Sequence, residues 1–205
     1  MSNTISVGEI PQLLEYTTGL GMATMITGKS GIGKTEQGHS FGRTHKEGNI
    51  LDVRVSQLDP SDSRGIPFNN NGLCSWLIPS MFPDVKRHGE VGLWILDEYL
   101  DGARSVKTAF QQLILERRLG DYVVPEGWSI LALGNKREHG GIGDGLSVAQ
   151  QDRFCHFEAV MDTNALITHF ISVGVDPYVT SFIKLRPALA HSQPDRGSKN
   201  ANNSR

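Results

Sequence analysis

Gly28-Lys29-Ser30-Gly31-Ile32-Gly33-Lys34-Thr35, GKSGIGKT, is the stretch on which the reading of this chain turns. It fits the pattern G-x-x-x-x-G-K-[ST] and follows Met22–Thr27, an apolar run of strand length, which is the context such a loop requires. The glycines let the backbone wind into a nest of N–H donors, and the start of the following helix adds partial positive charge, so the loop can surround a phosphate group. Lys34 would reach the β- and γ-phosphates of a nucleotide, and Thr35 would offer a hydroxyl to Mg²⁺, a task closed to Ala or Val. Average residue frequencies give a match by chance in only about 1% of chains this long, so the eight residues Gly28 to Thr35 are taken as a nucleotide-binding Walker A loop.

Further along, Leu93-Trp94-Ile95-Leu96-Asp97-Glu98 is an apolar strand closed by two carboxylates. Behind a phosphate loop this pattern matches Walker B, in which Asp97 holds Mg²⁺ and Glu98 orients and deprotonates the attacking water. Successive side chains on a strand point to opposite faces, so Asp97 can face the metal while Glu98 reaches the γ-phosphate from the loop beyond the strand. Another apolar run, Ser129–Gly134, ends in Asn135, at the edge where an open α/β sheet binds its ligand. Asn135 could hold the attacking water, or be a turn residue of the Gly134-Asn135 pair. Asn135-Lys136-Arg137-Glu138 also imitates the NKxD guanine-reading motif, but Glu138 stands where GTPases carry Asp. The Asp-x-x-Gly switch of those proteins is missing too, because Glu98, Tyr99 and Leu100 follow Asp97. ATP is the preferred nucleotide.

The chain's 205 residues suffice for one full domain with a small helical appendage. A net charge of −2 excludes a global positive field for nucleic acid or anionic lipid and leaves a local basic patch open. Cys74 and Cys155, with no CxxC spacing, form neither a disulfide framework nor a zinc motif and read as reduced thiols. No window approaches the roughly 18 consecutive apolar residues of a membrane span and no leader pattern opens the chain, so a soluble, cytoplasmic protein is expected.

The apolar runs Met22–Thr27, Ile50–Val55, Leu93–Leu96 and Ser129–Leu133 alternate with helical segments, the pattern of an α/β fold with parallel strands buried on both faces. Asp101 is placed as the cap of a helix through Arg118, with Val106, Phe110, Leu113 and Ile114 on one stripe and Gly120 as its stop. Asp121–Trp128 suggests a hairpin leading into the Ser129 strand. Beyond Asp162 the spacing predicts two helices separated by Gly174 and Pro177, and His191–Arg205, without a large apolar residue, is expected to be a disordered tail.

Taken together, GKSGIGKT, Ser56–Phe68 (SQLDPSDSRGIPF), Leu93–Leu100 (LWILDEYL), Leu131–Asn135 (LALGN) and Gln150–Phe154 (QQDRF) resemble the AAA+ ATPases, most closely their MoxR-like, dynein-related branch. The resemblance runs from about Gly19 to Leu189 and rests on order and spacing more than on any one motif. It implies a P-loop NTPase αβα sandwich with a mostly parallel sheet over residues 1–163, the start of a small helical lid over 164–190, and the tail over 191–205. It also implies a homo-oligomeric ring, usually a hexamer, with ATP and Mg²⁺ at each subunit boundary and a protein substrate or adaptor to be remodelled. Asn135 matches the family's sensor 1. Arg153 falls where the family presents an arginine finger to the neighbouring subunit's ATP, a role suited to a planar guanidinium; a local ion pair with Asp152 or Glu158 is the bland alternative, and Arg137 is its competitor as a second basic residue. Asn69-Asn70-Asn71-Gly72 extends the Ser56–Phe68 segment as a loop facing a pore or partner, or simply solvent, and Gly140–Gly145 as a mobile subunit-contact loop or a linker. The resembling proteins continue into a longer lid with a sensor-2 arginine, whereas here KLRPALA runs into the polar tail and Arg186 is not at the matching position.

Two functions of other classes remain alongside protein remodelling. One is a nucleic-acid-associated or GTP-dependent P-loop motor subunit, against which the near-neutral charge argues. The other is a nucleotide-dependent binding module with little turnover.

Overall fold

The central apolar runs become strands because helices on either side bury both sets of their alternating side chains, whereas the edge run at Ile50 leaves Asp52 and Arg54 exposed, against the expectation of burial on both faces. A computed structural model describes residues 3–135 and 153–190, and the chain divides after Val160 into two compact units. In the first, the sheet strands are β1 (Thr4–Ser6), β2 (Thr24–Gly28), β3 (Ile50–Arg54), β6 (Val91–Asp97), β9 (Gly127–Gly134) and β10 (Cys155–Val160). Among the described residues they form one six-stranded sheet in the order β1-β10-β2-β9-β6-β3, and every neighbouring pair is parallel.

The two faces can be read from alternate residues. On one side lie helices α1 (Ile10–Gly19) and α2 (Lys34–His45); a Cβ added at Gly38 of α2 would come within 2.9 Å of Leu131 and 3.4 Å of Ile95, so α2 rests directly on β9 and β6. On the other side Trp94, Leu96, Ile130 and Ala132 join Val106, Phe110, Leu113 and Ile114 of α5 (Arg104–Glu116) in the main core cluster. Phe82 lies in its middle, with ring centroids 5.2 Å from Trp94 and 5.1 Å from Tyr122. This is a three-layer αβα sandwich with helices on both faces of a parallel sheet.

Helix α5 departs from its sequence reading at both ends. After β6 the chain makes a 3₁₀ turn, Tyr99–Asp101, and Gly102 is extended, so Ala103 occupies the N-cap and the helix begins only at Arg104. Ala103, not Asp101, is therefore the N-cap of α5. At the other end Arg117 itself takes the left-handed conformation, φ 53°, while Gly120 is spent in the turn of a short hairpin between β7 (Arg118–Leu119) and β8 (Tyr122–Val123). A left-handed non-glycine residue costs about 1–2 kcal/mol. The Arg117 guanidinium offsets that by donating to the carbonyls of Pro125 and Trp128 at 2.8 and 2.6 Å. The hairpin thus starts earlier than the expected Asp121–Trp128 stretch, which supplies only its second strand, and Pro125 and Glu126 lead into β9.

The segment expected to be a loop around Asn69–Gly72 is instead an antiparallel ribbon of β4 (Ile66–Asn70) and β5 (Leu73–Leu77), reached through a short helix α3 (Pro60–Arg64). Its turn, Asn71 and Gly72 at φ 53° and 84°, is the consecutive left-handed pair for which Asn-Gly is suited. Helix α4 (Val85–His88) then returns the chain to β6.

The second unit holds two helices, Thr163–Ser172 and Pro177–Leu185. Asp162 caps the first through the backbone N–H groups of Asn164 and Ala165, and Asp176 the second through that of Tyr178. Tyr178, Phe182 and Leu185 are exposed along the second helix. No helix among the described residues is long and apolar enough to cross a membrane. The expectations for Arg137, Gly140–Gly145, Gln150–Asp152 and His191–Arg205 concern residues outside those described.

Candidate functional site

Three consecutive strands of the sheet, β2, β9 and β6, carry the candidate residues at their carboxyl ends, where an open parallel sheet leaves a crevice for its ligand. Beyond β2 comes the glycine-rich loop, beyond β9 Asn135, and at the end of β6 Asp97 and Glu98. Because these strands are neighbours, residues far apart in sequence meet around one cavity of about 310 Å³, lined by Ser30, Gly31, Gly33, Lys34, Thr35, Asp97, Glu98 and Asn135 among others.

The loop needs its glycines for two different reasons. At Gly28 a side chain would lie 2.5 Å from the Ala159 carbonyl oxygen of β10, so the residue must be bare for the strands to pack. Gly33, at φ 95°, takes a left-handed turn that starts α2 at once with Lys34. Ile32 points inward and is buried, so it can offer the cavity only backbone; Lys29 contributes its carbonyl, and Ser30 and Gly31 line the opening.

Lys34 is the electrostatic centre. It is 8% exposed, and its ammonium donates to the carbonyls of Gly28 and Lys29 at 3.1 and 2.7 Å and to Asn135 Oδ1 at 3.0 Å. Burial lowers its pKa to about 8, an effect the nearby Asp97 carboxylate partly opposes. Thr35 Oγ1 donates to Asp97 Oδ2 at 3.0 Å, which brings a hydroxyl and a carboxylate together at the cavity wall. Hard oxygen donors of this kind suit Mg²⁺, which takes one or two protein ligands beside waters and phosphates. The other Asp97 oxygen accepts the Glu98 backbone N–H at 2.8 Å. Glu98 is left-handed, φ 53° and ψ 32°, and its carboxylate accepts a hydrogen bond from Ser56.

Arg153 is the one sequence-predicted site residue the structure keeps away from the cavity. Cys155 pairs with Thr24 and Ala159 with Gly28, so Arg153, two residues before β10, lies toward the amino ends of these strands, whereas the phosphate loop leaves the carboxyl end of β2. Its guanidinium donates to the Gln111 carbonyl of α5 at 3.2 Å. Ser56, conversely, is at the site although its segment, Ser56–Phe68, reads only as leading into a loop: its hydroxyl bonds the Glu98 carboxylate.

A crystal structure of a candidate ATPase from Cytophaga hutchinsonii ATCC 33406 matches with a TM-score of 0.57 at 20% identity, over 83% of this chain and 52% of that one. This chain has a P-loop NTPase fold. It spans about half the length of the matched structure, and at this identity the likeness concerns the fold alone. No protein-family model matches the chain, and no curated protein matches it in sequence.

Proposed function

We propose that the chain binds ATP with Mg²⁺ and hydrolyses it to ADP and phosphate. The observation that supports this best is the convergence of Lys34, Thr35, Asp97, Glu98 and Asn135 on one cavity from three adjacent strand ends. Lys34 and the loop backbone hold the β- and γ-phosphates, and burial in a low-dielectric wall strengthens that attraction. Thr35 and Asp97 would hold Mg²⁺, which neutralises charge on the phosphate oxygens when bound. Glu98 takes the proton from the attacking water, and the Asn135 amide orients that water. Arg153 stabilises charge on the γ-phosphoryl group of a neighbouring subunit, a reading supported by its place before the amino end of β10 and outside the lining of its own cavity.

At the level of biology we place the protein with MoxR-like AAA+ ATPases, as a homo-oligomeric ring, a hexamer by resemblance, whose helical second unit serves as a lid and whose turnover remodels a protein partner. Cytoplasmic placement goes with two cysteines that are not paired with each other.

The phosphate-loop assignment has its own test. Lys34→Ala removes the principal side-chain counter-ion of the phosphates, and isothermal calorimetry should detect no tight ATP binding. Affinity equal to wild type would remove the loop from the account.

A further inference from the structure

Tyr99 is fully buried, yet its hydroxyl has no hydrogen-bond partner among the described residues. A phenylalanine would fill the same space without that cost, because a buried hydroxyl gives up its bonds to water and here gains none in exchange. The phenol oxygen therefore calls for a partner that it meets in another arrangement of the chain.

The ring is delivered from a fixed backbone. Tyr99 opens the 3₁₀ turn directly after Glu98, and its carbonyl accepts the Gly102 N–H at 3.3 Å. A Cβ at Gly134 would lie 2.5 Å from Leu100 Cγ, so the same turn is pinned against the end of β9. From there the Tyr99 ring meets the Phe154 ring edge-on, with centroids 5.6 Å apart and planes at 74°. Phe154 follows Arg153 in the chain, and the guanidinium lies close enough for its charge to act on the phenol: burial pushes the pKa of Tyr99 up, and Arg153 partly opposes that. Arg153 Nη1 donates to the Gln111 carbonyl at 3.2 Å, and a guanidinium carries further N–H donors on the same planar fork. An orphaned acceptor and a donor with bonds to spare are thus brought together at one aromatic contact.

We propose that Tyr99 is a positioning residue for Arg153: its hydroxyl accepts from the guanidinium and steadies it while Arg153 serves the neighbouring subunit's γ-phosphoryl group. The proposal rests on the role given to Arg153 above. Tyr99 touches no nucleotide in this role, so its hydroxyl should matter for turnover and not for binding. It should also matter in the neighbour's site, although it follows Glu98 of its own.

The test uses Tyr99→Phe, which keeps the ring on Phe154 and removes only the hydroxyl, in the full chain. Single turnover of radiolabelled ATP should slow about 10-fold or more, the scale of a hydrogen bond to a charged group, with calorimetric ATP affinity and assembly by size exclusion unchanged. In an Arg153→Ala background, where no guanidinium remains to be held, Tyr99→Phe should change the residual rate by less than about twofold. Mixing then tells which site the hydroxyl serves. Glu98→Gln brings an intact Arg153 and Tyr99, so adding it should raise phosphate release above what Tyr99→Phe supports alone, whereas adding Arg153→Ala should not. Rescue by Arg153→Ala in place of Glu98→Gln assigns the hydroxyl to the base of its own chain and overturns the proposal. A Tyr99→Phe protein as fast as wild type while Arg153→Ala is crippled overturns it too and leaves the role of Arg153 standing, as does loss of affinity or assembly in Tyr99→Phe. A wild-type rate in Arg153→Ala removes the finger and this proposal with it.

Discussion

Arg153→Ala is expected to bind ATP as the wild-type chain does and to hydrolyse it about 10³–10⁵-fold more slowly, the range known for arginine fingers in calibrated GTPase systems. The separation of the two effects follows from geometry. Arg153 lies at the amino end of β10, which runs parallel to β2, whereas the phosphate loop leaves the carboxyl end of β2. Removing the guanidinium leaves the chain's own loop untouched and strips charge stabilisation from its neighbour's γ-phosphoryl group. Mixing provides the sharper measurement. Arg153→Ala keeps Glu98, and Glu98→Gln keeps Arg153, so a boundary between the two dead proteins contains one complete site. Partial phosphate release should return on mixing. A mixture that co-assembles by size exclusion yet stays inactive assigns Arg153 to its local bond with the Gln111 carbonyl and removes the subunit-boundary mechanism.

Glu98→Gln should retain ATP and turn it over about 10²–10⁴-fold more slowly, the usual contribution of a general base. The substitution keeps the volume and the capacity to accept from Ser56 but cannot take a proton. Lys34 and Thr35 are unchanged, so calorimetric affinity should match wild type while steady-state release falls. Unaltered turnover would move the base to another group. The same variant, holding ATP without consuming it, is the appropriate bait for a protein partner.

The parts of the fold legible in sequence are those in which one physical requirement controls the residues. Strands buried on both faces must be apolar throughout, and Ile95 and Leu96 pack on opposite layers of the sandwich without breaking the run. The phosphate loop was legible because Gly28 and Gly33 answer constraints of contact and dihedral that no other residue meets. What escaped depended on tertiary partners. The end of α5 is set by Arg117, whose unfavourable backbone is held by bonds to Pro125 and Trp128, so the glycine three residues later was a false stop. The Asn71-Gly72 turn was a local signal for a hairpin, obscured by three consecutive asparagines that read as loop. Ser56 was legible as the start of the Ser56–Phe68 segment, but its place beside Glu98 escaped because it comes from the β3–β6 register. For the site, the sequence named residues from separate segments that the sheet brings to one cavity, whereas the subunit-boundary role of Arg153 rests on the family resemblance.

The account stands most directly on phosphate release by the full, unmodified chain supplied with Mg²⁺ and either ATP or GTP. It predicts steady release from ATP that scales with protein concentration, exceeds release from GTP, and stops when the divalent ion is chelated. Tight ATP binding with no release at any protein concentration would contradict it and make the chain a nucleotide-dependent binding module instead.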